Sequence, residues 1–139
     1  MKNTILTLFL GIIIYSKGYS QKIHANLNVQ QPVGEFDNIK VEPLNGDELS
    51  SSFLIWIKKR VKRHKHLEHT EQVFVLAGEG RFWLGEQELQ LKTGDFVFIP
   101  KNTPHAVEVT SKEPLKVLSI QSPKFDGSDR VWLEEATEK

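Results

Sequence analysis

No cysteine occurs in the 139 residues. That absence excludes disulfide bonds, thiolate metal sites, cysteine nucleophiles and a lipid-modified cysteine anchor. Any metal held by this chain must therefore be bound through nitrogen and oxygen. Net charge is absent too: eighteen Lys plus Arg balance eighteen Asp plus Glu, so no global field recruits nucleic acid or an anionic membrane surface. A membrane-spanning helix needs about twenty apolar residues, and the apolar run from Ile5 to Tyr15 has eleven. No long stretch carries a 3.6-residue apolar period, and no internal repeat or low-complexity segment is present. A chain of this length has room for one domain with its own core, hardly for two.

What is present begins with a composition shift. Lys2 precedes the apolar run, and small Gly18 and Ser20 flank Tyr19, the order of a secretory signal peptide. Cleavage after Ser20 is expected, giving a secreted or periplasmic protein that starts at Gln21 and has no membrane attachment. Residues 21–38 are polar, broken by Gln30-Gln31-Pro32 and Gly34, and are expected to form a loosely held arm. Short β-type runs follow at Ile39 to Val41, Phe53 to Ile57, Val73 to Leu76, Arg81 to Leu84, Glu88 to Leu91, Phe96 to Ile99, Ala106 to Val109 and Leu115 to Ile120. Gly, Pro, Asn and Asp punctuate them, which predicts an all-β sandwich or barrel.

The segment His64-Lys65-His66-Leu67-Glu68-His69-Thr70-Glu71 concentrates nitrogen and carboxylate donors. On a strand, positions i and i+2 share a face about 6 to 7 Å apart, so His64 and His66 can converge on one ion. A solvated, histidine-rich loop is the alternative reading of the same residues.

The spacing of this segment resembles the first cupin motif: His64-x-His66, four residues, Glu71, six residues, Gly78. Gly94, Pro100 and His105 fall in the register of the second cupin motif. Asn102 stands where that pattern has glycine, a mild departure because asparagine tolerates the left-handed conformation. Val109 replaces the final Asn, and Lys58 replaces a glycine that often precedes the first motif. The resemblance covers about Ile39 to Ile120. It implies a double-stranded β-helix barrel over residues 39–122, a closing segment over 123–139, and one divalent metal (Mn, Fe, Co, Ni or Zn) held by His64, His66, Glu71 and His105. Octahedral coordination by four protein ligands would leave two positions open. A homodimer is also expected, partly from the resemblance and partly from the sheet edges that a small open barrel must cover.

Other candidates have plainer readings. His69 is expected in a turn, facing water, and His24 in the solvated arm. Trp56, Phe74, Trp83, Phe96 and Phe98 are expected in core or wall. Strict alternation back from His64 would turn Lys62 and Arg60 inward, where they would hold an anionic substrate; a bend at Lys58 would reset the alternation and leave both in solvent, and this is the favoured reading. The function expected is a metal-dependent enzyme (dioxygenase, isomerase or lyase) acting on a small oxygen-bearing molecule, a sugar derivative or an organic acid. The alternative is a non-catalytic small-molecule or carbohydrate-binding module with a structural metal, because Glu68, Glu108 and His69 are the only unclaimed acids or bases near the motifs.

Overall fold

β-branched and aromatic residues in runs of four to eight, separated by turn formers, cannot bury an apolar face except by pairing as strands. The computed structural model describes residues 23–134, and the expected signal peptide lies outside them. Ten strands form: β1 (Ile39–Gly46), β2 (Ser51–Ile57), β3 (Arg60–His66), β4 (Thr70–Ala77), β5 (Glu79–Leu84), β6 (Gln87–Lys92), β7 (Phe96–Ile99), β8 (His105–Val109), β9 (Leu115–Ser122) and β10 (Arg130–Trp132). They make two antiparallel five-stranded sheets, ordered β1-β2-β9-β4-β7 and β10-β3-β8-β5-β6. This is the all-β, double-stranded β-helix architecture expected from the sequence. β3 and β10 lie outside the β-type runs read from the sequence; a strand carrying His64 and His66 was expected from the resemblance, and β10 is an addition.

Period-2 alternation sorts the side chains. Val73, Val75, Val97, Ile99, Leu115 and Val117 of the first sheet meet Phe82, Leu91 and Val107 of the second in one core. Full burial of each such side chain contributes about 1.5–3 kcal/mol. The opposite face of the first sheet is apolar as well, through Leu44, Leu54, Trp56, Leu76 and Leu118, and Leu27 and Phe36 cover it. The buried ammonium of Lys116 donates to the carbonyls of Asn28 (3.2 Å) and Gln30 (2.7 Å). Leu27, Phe36 and the carbonyls of Asn28 and Gln30 thus attach the arm to the first sheet, because the second apolar face needs a cover and Lys116 needs acceptors, while Ile23, Val29 and Val33 stay exposed.

Two irregularities position the site. β3 and β8 pair Val61 with Val107 and His64 with His105, so β3 carries one extra residue between them. Such a bulge reverses alternation, and Val61 and His64 come to face the same interior. At the turn between β7 and β8, Asn102 adopts φ 61°, the left-handed conformation expected of it, and its N–H donates to the carbonyl of His66.

Gly78, between β4 and β5, has φ 80°, and a Cβ built there would lie 2.8 Å from Pro114 O and 2.9 Å from Leu115 Cα. Gly85 has φ 59° with open space around it. Gly78→Ala should lower stability by about 2–4 kcal/mol, against about 1 kcal/mol for Gly85→Ala. Urea denaturation of the two variants checks the difference, and equal losses would show that the backbone at Gly78 gives way.

Candidate metal centre

β3 presents His64 and His66 inward at i and i+2, and His105, the first residue of β8, lies across from His64. The ring centroids are 4.2 Å apart for His64 and His105, 5.3 Å for His64 and His66, and 5.6 Å for His66 and His105. All three are buried, and each offers a nitrogen within 4.8 Å of the others.

The hydrogen bonds set which nitrogens converge. His64 Nδ1 donates to Lys62 O (2.8 Å), His105 Nδ1 to Thr103 O (3.1 Å) and His66 Nδ1 to Asp129 Oδ1 (3.3 Å). With the proton on Nδ1, each Nε2 carries a lone pair. His66 Nε2 is buried without a hydrogen-bond partner. Glu71, on β4 of the opposite sheet, brings Oε2 to 3.7 Å from His66 Nε2 and 3.5 Å from His105 Nε2. Its Oε1 accepts from Ser119 Oγ (2.5 Å) and Gln121 Nε2 (3.4 Å). Lone pairs and a carboxylate oxygen facing one another this closely are satisfied by a cation among them, and the three histidines form a group able to bind a metal ion.

Protonation agrees with that geometry. Burial, then the neighbouring His105, lowers His64 to about 3. Burial lowers His66, against the pull of Glu71. Burial would raise Glu71, but His105, in its charged form, and the hydrogen bond from the Ser119 hydroxyl outweigh it and hold the carboxyl below its ordinary range; with His105 neutral, a cation at the site takes over that part.

His69 is not the water-facing turn residue expected. It is buried, with Nδ1 2.5 Å from Asp129 Oδ2 and Nε2 2.8 Å from Lys124 O. Both partners are acceptors, so the ring is held as an imidazolium; burial opposes its charge, but Asp129 and the Lys124 carbonyl raise it above the usual histidine range. Asp129 also receives the backbone N–H groups of Glu68 and His69. A chain His69–Asp129–His66 thus ties the closing segment to the histidine group. Sequence reasoning gave this segment a packing role only. The available signal was Asp126-Gly127-Ser128-Asp129 before Arg130-Val131-Trp132, a turn followed by strand formers.

β10 lies against β3, pairing Arg130 with His66 and Trp132 with His64. The Trp132 ring lies 5.2 Å from that of His64, and the Phe125 ring 5.0 Å from that of His66. A cavity of about 120 Å³ opens beside the histidines, lined by His64, Glu71, His105, Gln121, Arg130 and Trp132 and otherwise by apolar residues from both sheets, Phe82 among them. Arg60 and Lys62 are exposed and outside the lining. The bulge after Val61 resets the alternation that would have turned them inward, so the substrate-gripping role is not where the chain puts them. Trp56, Phe74, Trp83, Phe96 and Phe98 are also outside the lining. Glu68 and Glu108 are exposed, the latter 3.0 Å from Arg81, and His24 is exposed in the arm.

Comparison with known proteins agrees with this fold. The family described as Cupin domain matches residues 54–121. An uncharacterised protein of Aquifex aeolicus is 38% identical over 106 residues, covering 76% of this chain and 87% of that one. Quercetin 2,3-dioxygenase of Bacillus subtilis is 40% identical over 52 residues, which are 37% of this chain and only 15% of the relative. Among solved structures, a Klebsiella pneumoniae protein with a double-stranded β-helix domain superposes with a TM-score of 0.67 at 16% identity, over 83% of this chain and all of that one (100%).

The lowered histidines give a pH dependence. His64 ordinarily titrates near 6.5, so below that pH the unfolded chain takes up a proton that the folded chain refuses, and stability falls as pH drops toward 3. His69, being raised, contributes in the opposite direction, so a difference measurement is needed. The melting temperature of metal-stripped protein should fall from pH 7 to pH 4, and His64→Gln should flatten that slope. An unchanged slope in the variant would mean that His64 is not the buried neutral group described.

Proposed function

The chain carries a cupin domain over residues 54–121, and from that premise we propose that it is a metal-dependent enzyme acting on a small oxygen-bearing molecule in the cavity beside His64, His66 and His105. The metal would be held by those three histidines and Glu71. The observation that carries this reading is the fixing of all three Nδ1 hydrogens by Lys62 O, Thr103 O and Asp129, which leaves three Nε2 lone pairs in one buried group, those of His66 and His105 within 3.7 Å and 3.5 Å of Glu71 Oε2. The donor set is nitrogen and oxygen, which suits Mn, Fe, Co, Ni or Zn. A metal bound there would act as a Lewis acid or oxygen-activating centre. The chain's own part is to orient the imidazoles, to keep Glu71 ionised through Ser119 and Gln121, and to keep bulk water out with Trp132 and the apolar walls.

One observation favours the second reading, a binding module without turnover. Apart from His64, Glu71 and His105, the only ionisable group in the cavity lining is the Arg130 guanidinium, which stays charged and serves as neither general acid nor base near neutral pH, and Glu68, Glu108 and His69 are exposed or engaged. Any reaction must then proceed through the metal or through a group of the substrate itself.

Metal content tests the site. Replacing His64, His66, His105 or Glu71 by Ala should weaken Zn(II) binding more than 100-fold, judged by chelator competition, while Asp129→Ala should cost about 10–100-fold through loss of its hold on His66. Lys62→Ala should change nothing, since the backbone carbonyl is what His64 uses. Full affinity in Glu71→Ala would remove the carboxylate from the ligand set, and native protein that takes up no divalent metal would end the reading.

The proposal includes export and a homodimer. Lys2, the apolar run and the Gly18 to Ser20 boundary support export. Pairing is supported by Phe74, Phe96 and Phe98, which stay 41%, 57% and 49% exposed on one face near edge strand β7, a patch that a second subunit would cover. Recovered extracytoplasmic protein should begin at Gln21 and scatter light as about twice its monomer mass, and Phe96→Lys with Phe98→Lys should return it to monomer. An intact Met1, or monomeric native protein at micromolar concentration, counts against the respective half.

A further inference from the structure

The cavity beside the histidines is walled by hydrocarbon. Ile57, Val61, Phe82, Leu91, Val107 and Leu115, drawn from both sheets, line it. Its volume of about 120 Å³ accommodates roughly eight to ten water-sized groups. A carbohydrate would bring a hydroxyl on nearly every carbon, and each one buried without a partner would cost on the order of 1–3 kcal/mol.

Partners for so many hydroxyls are missing from the lining. Outside the histidines and Glu71, its polar side chains are Gln121, Arg130 and the indole of Trp132. Gln121 Nε2 already faces Glu71 Oε1 and Ser119 Oγ, at 3.4 and 3.3 Å. Its Oε1 is buried without a partner and can accept one hydroxyl hydrogen. The Arg130 guanidinium lies 5.2 Å from the Phe125 ring and 5.5 Å from the Trp132 ring; the residue is exposed, and it forms no ion pair among the described residues. One acceptor, one cation and an aliphatic wall describe a ligand with a single polar end.

We propose that the molecule bound here is a small, largely apolar organic acid, with its hydrocarbon body among Ile57, Phe82, Leu91 and Val107 and its carboxylate facing Arg130 beside the histidines. Of the two substrate classes the sequence left open, this selects the organic acid over the sugar, and it moves the anion-holding role from Arg60 and Lys62 to Arg130. The proposal rests on the metal-centre reading for the inner contact of the carboxylate; the apolar body and Arg130 stand without it.

The test uses three matched probes followed by calorimetry on zinc-treated and on metal-stripped protein: 2-hydroxyisocaproate, glycerate (the same head without the body) and 4-methylpentane-1,2-diol (the same body without the charge). The hydroxy acid should bind at least tenfold more tightly than either control. Arg130→Gln should weaken its binding about tenfold and leave the diol unaffected. Glycerate binding as tightly as 2-hydroxyisocaproate would overturn the apolar-body assignment, and an Arg130→Gln variant with unchanged affinity for the acid would overturn the cation assignment. Protein that takes up no zinc yet keeps the preference for 2-hydroxyisocaproate refutes the metal reading and sustains this one. Protein that loads zinc without the preference refutes this proposal alone.

Discussion

An imidazole buried in a hydrocarbon barrel must give its N–H to an acceptor, and here that requirement governs three rings at once. Lys62 O, Thr103 O and Asp129 accept the three Nδ1 protons, and only because they do can the Nε2 atoms turn toward one another. Two of the acceptors are carbonyls two residues before the ring they hold, so the local path of β3 and of the turn into β8 sets the imidazole orientation. The third comes from the closing segment, more than sixty positions along the chain. The bulge in β3, the left-handed Asn102 and the pairing of β10 with β3 each supply part of this arrangement.

The two sheets divide the work. The second carries the histidines on β3 and β8, while the first brings Glu71 across the barrel and braces it with Ser119 and Gln121 of the adjacent β9. A carboxylate buried among apolar side chains would ordinarily take up a proton; hydroxyl and amide donors on one oxygen, and the histidine group near the other, keep it charged. Leu27 and Phe36 cover the outer face of the first sheet over Leu54 and Trp56, and Lys116 stitches them there, so the sheet that carries Glu71 is backed by a second small core, while Phe74, Phe96 and Phe98 toward β7 stay exposed.

Polar side chains are a minority of the cavity lining. Such a lining selects ligands by the cost of leaving hydroxyls unpaired more than by the number of contacts offered, because an unpartnered buried donor or acceptor loses its water without replacement. The closing segment contributes twice, through Asp129, which accepts from His66 Nδ1, and through Arg130 and Trp132, which line the cavity.

Much of this was legible in the chain. Alternating β-formers between turn residues specify strands, and two spaced motifs singled out His64, His66 and His105, which the fold gathers into one buried group, with Glu71 beside two of them. The left-handed turn at Asn102 followed from the glycine that the second motif has at that place, because asparagine tolerates the same conformation. Other features were not legible, for a common reason. A single inserted residue reverses the facing of Arg60 and Lys62, and period-2 logic has no means of locating it without the partner strand β8. His69 read as solvated because its acceptor, Asp129, is sixty positions away. The arm read as loose because its apolar residues, Leu27 and Phe36, are sparse and their counterpart is the back of a sheet assembled elsewhere. What the sequence determined by itself was the set of local conformations and the donor atoms, which depend on covalent chemistry and near neighbours. Which of those groups face the cavity, and which acceptor orients each ring, was decided only when distant strands paired, because burial and hydrogen bonding are properties of the neighbours that folding brings together.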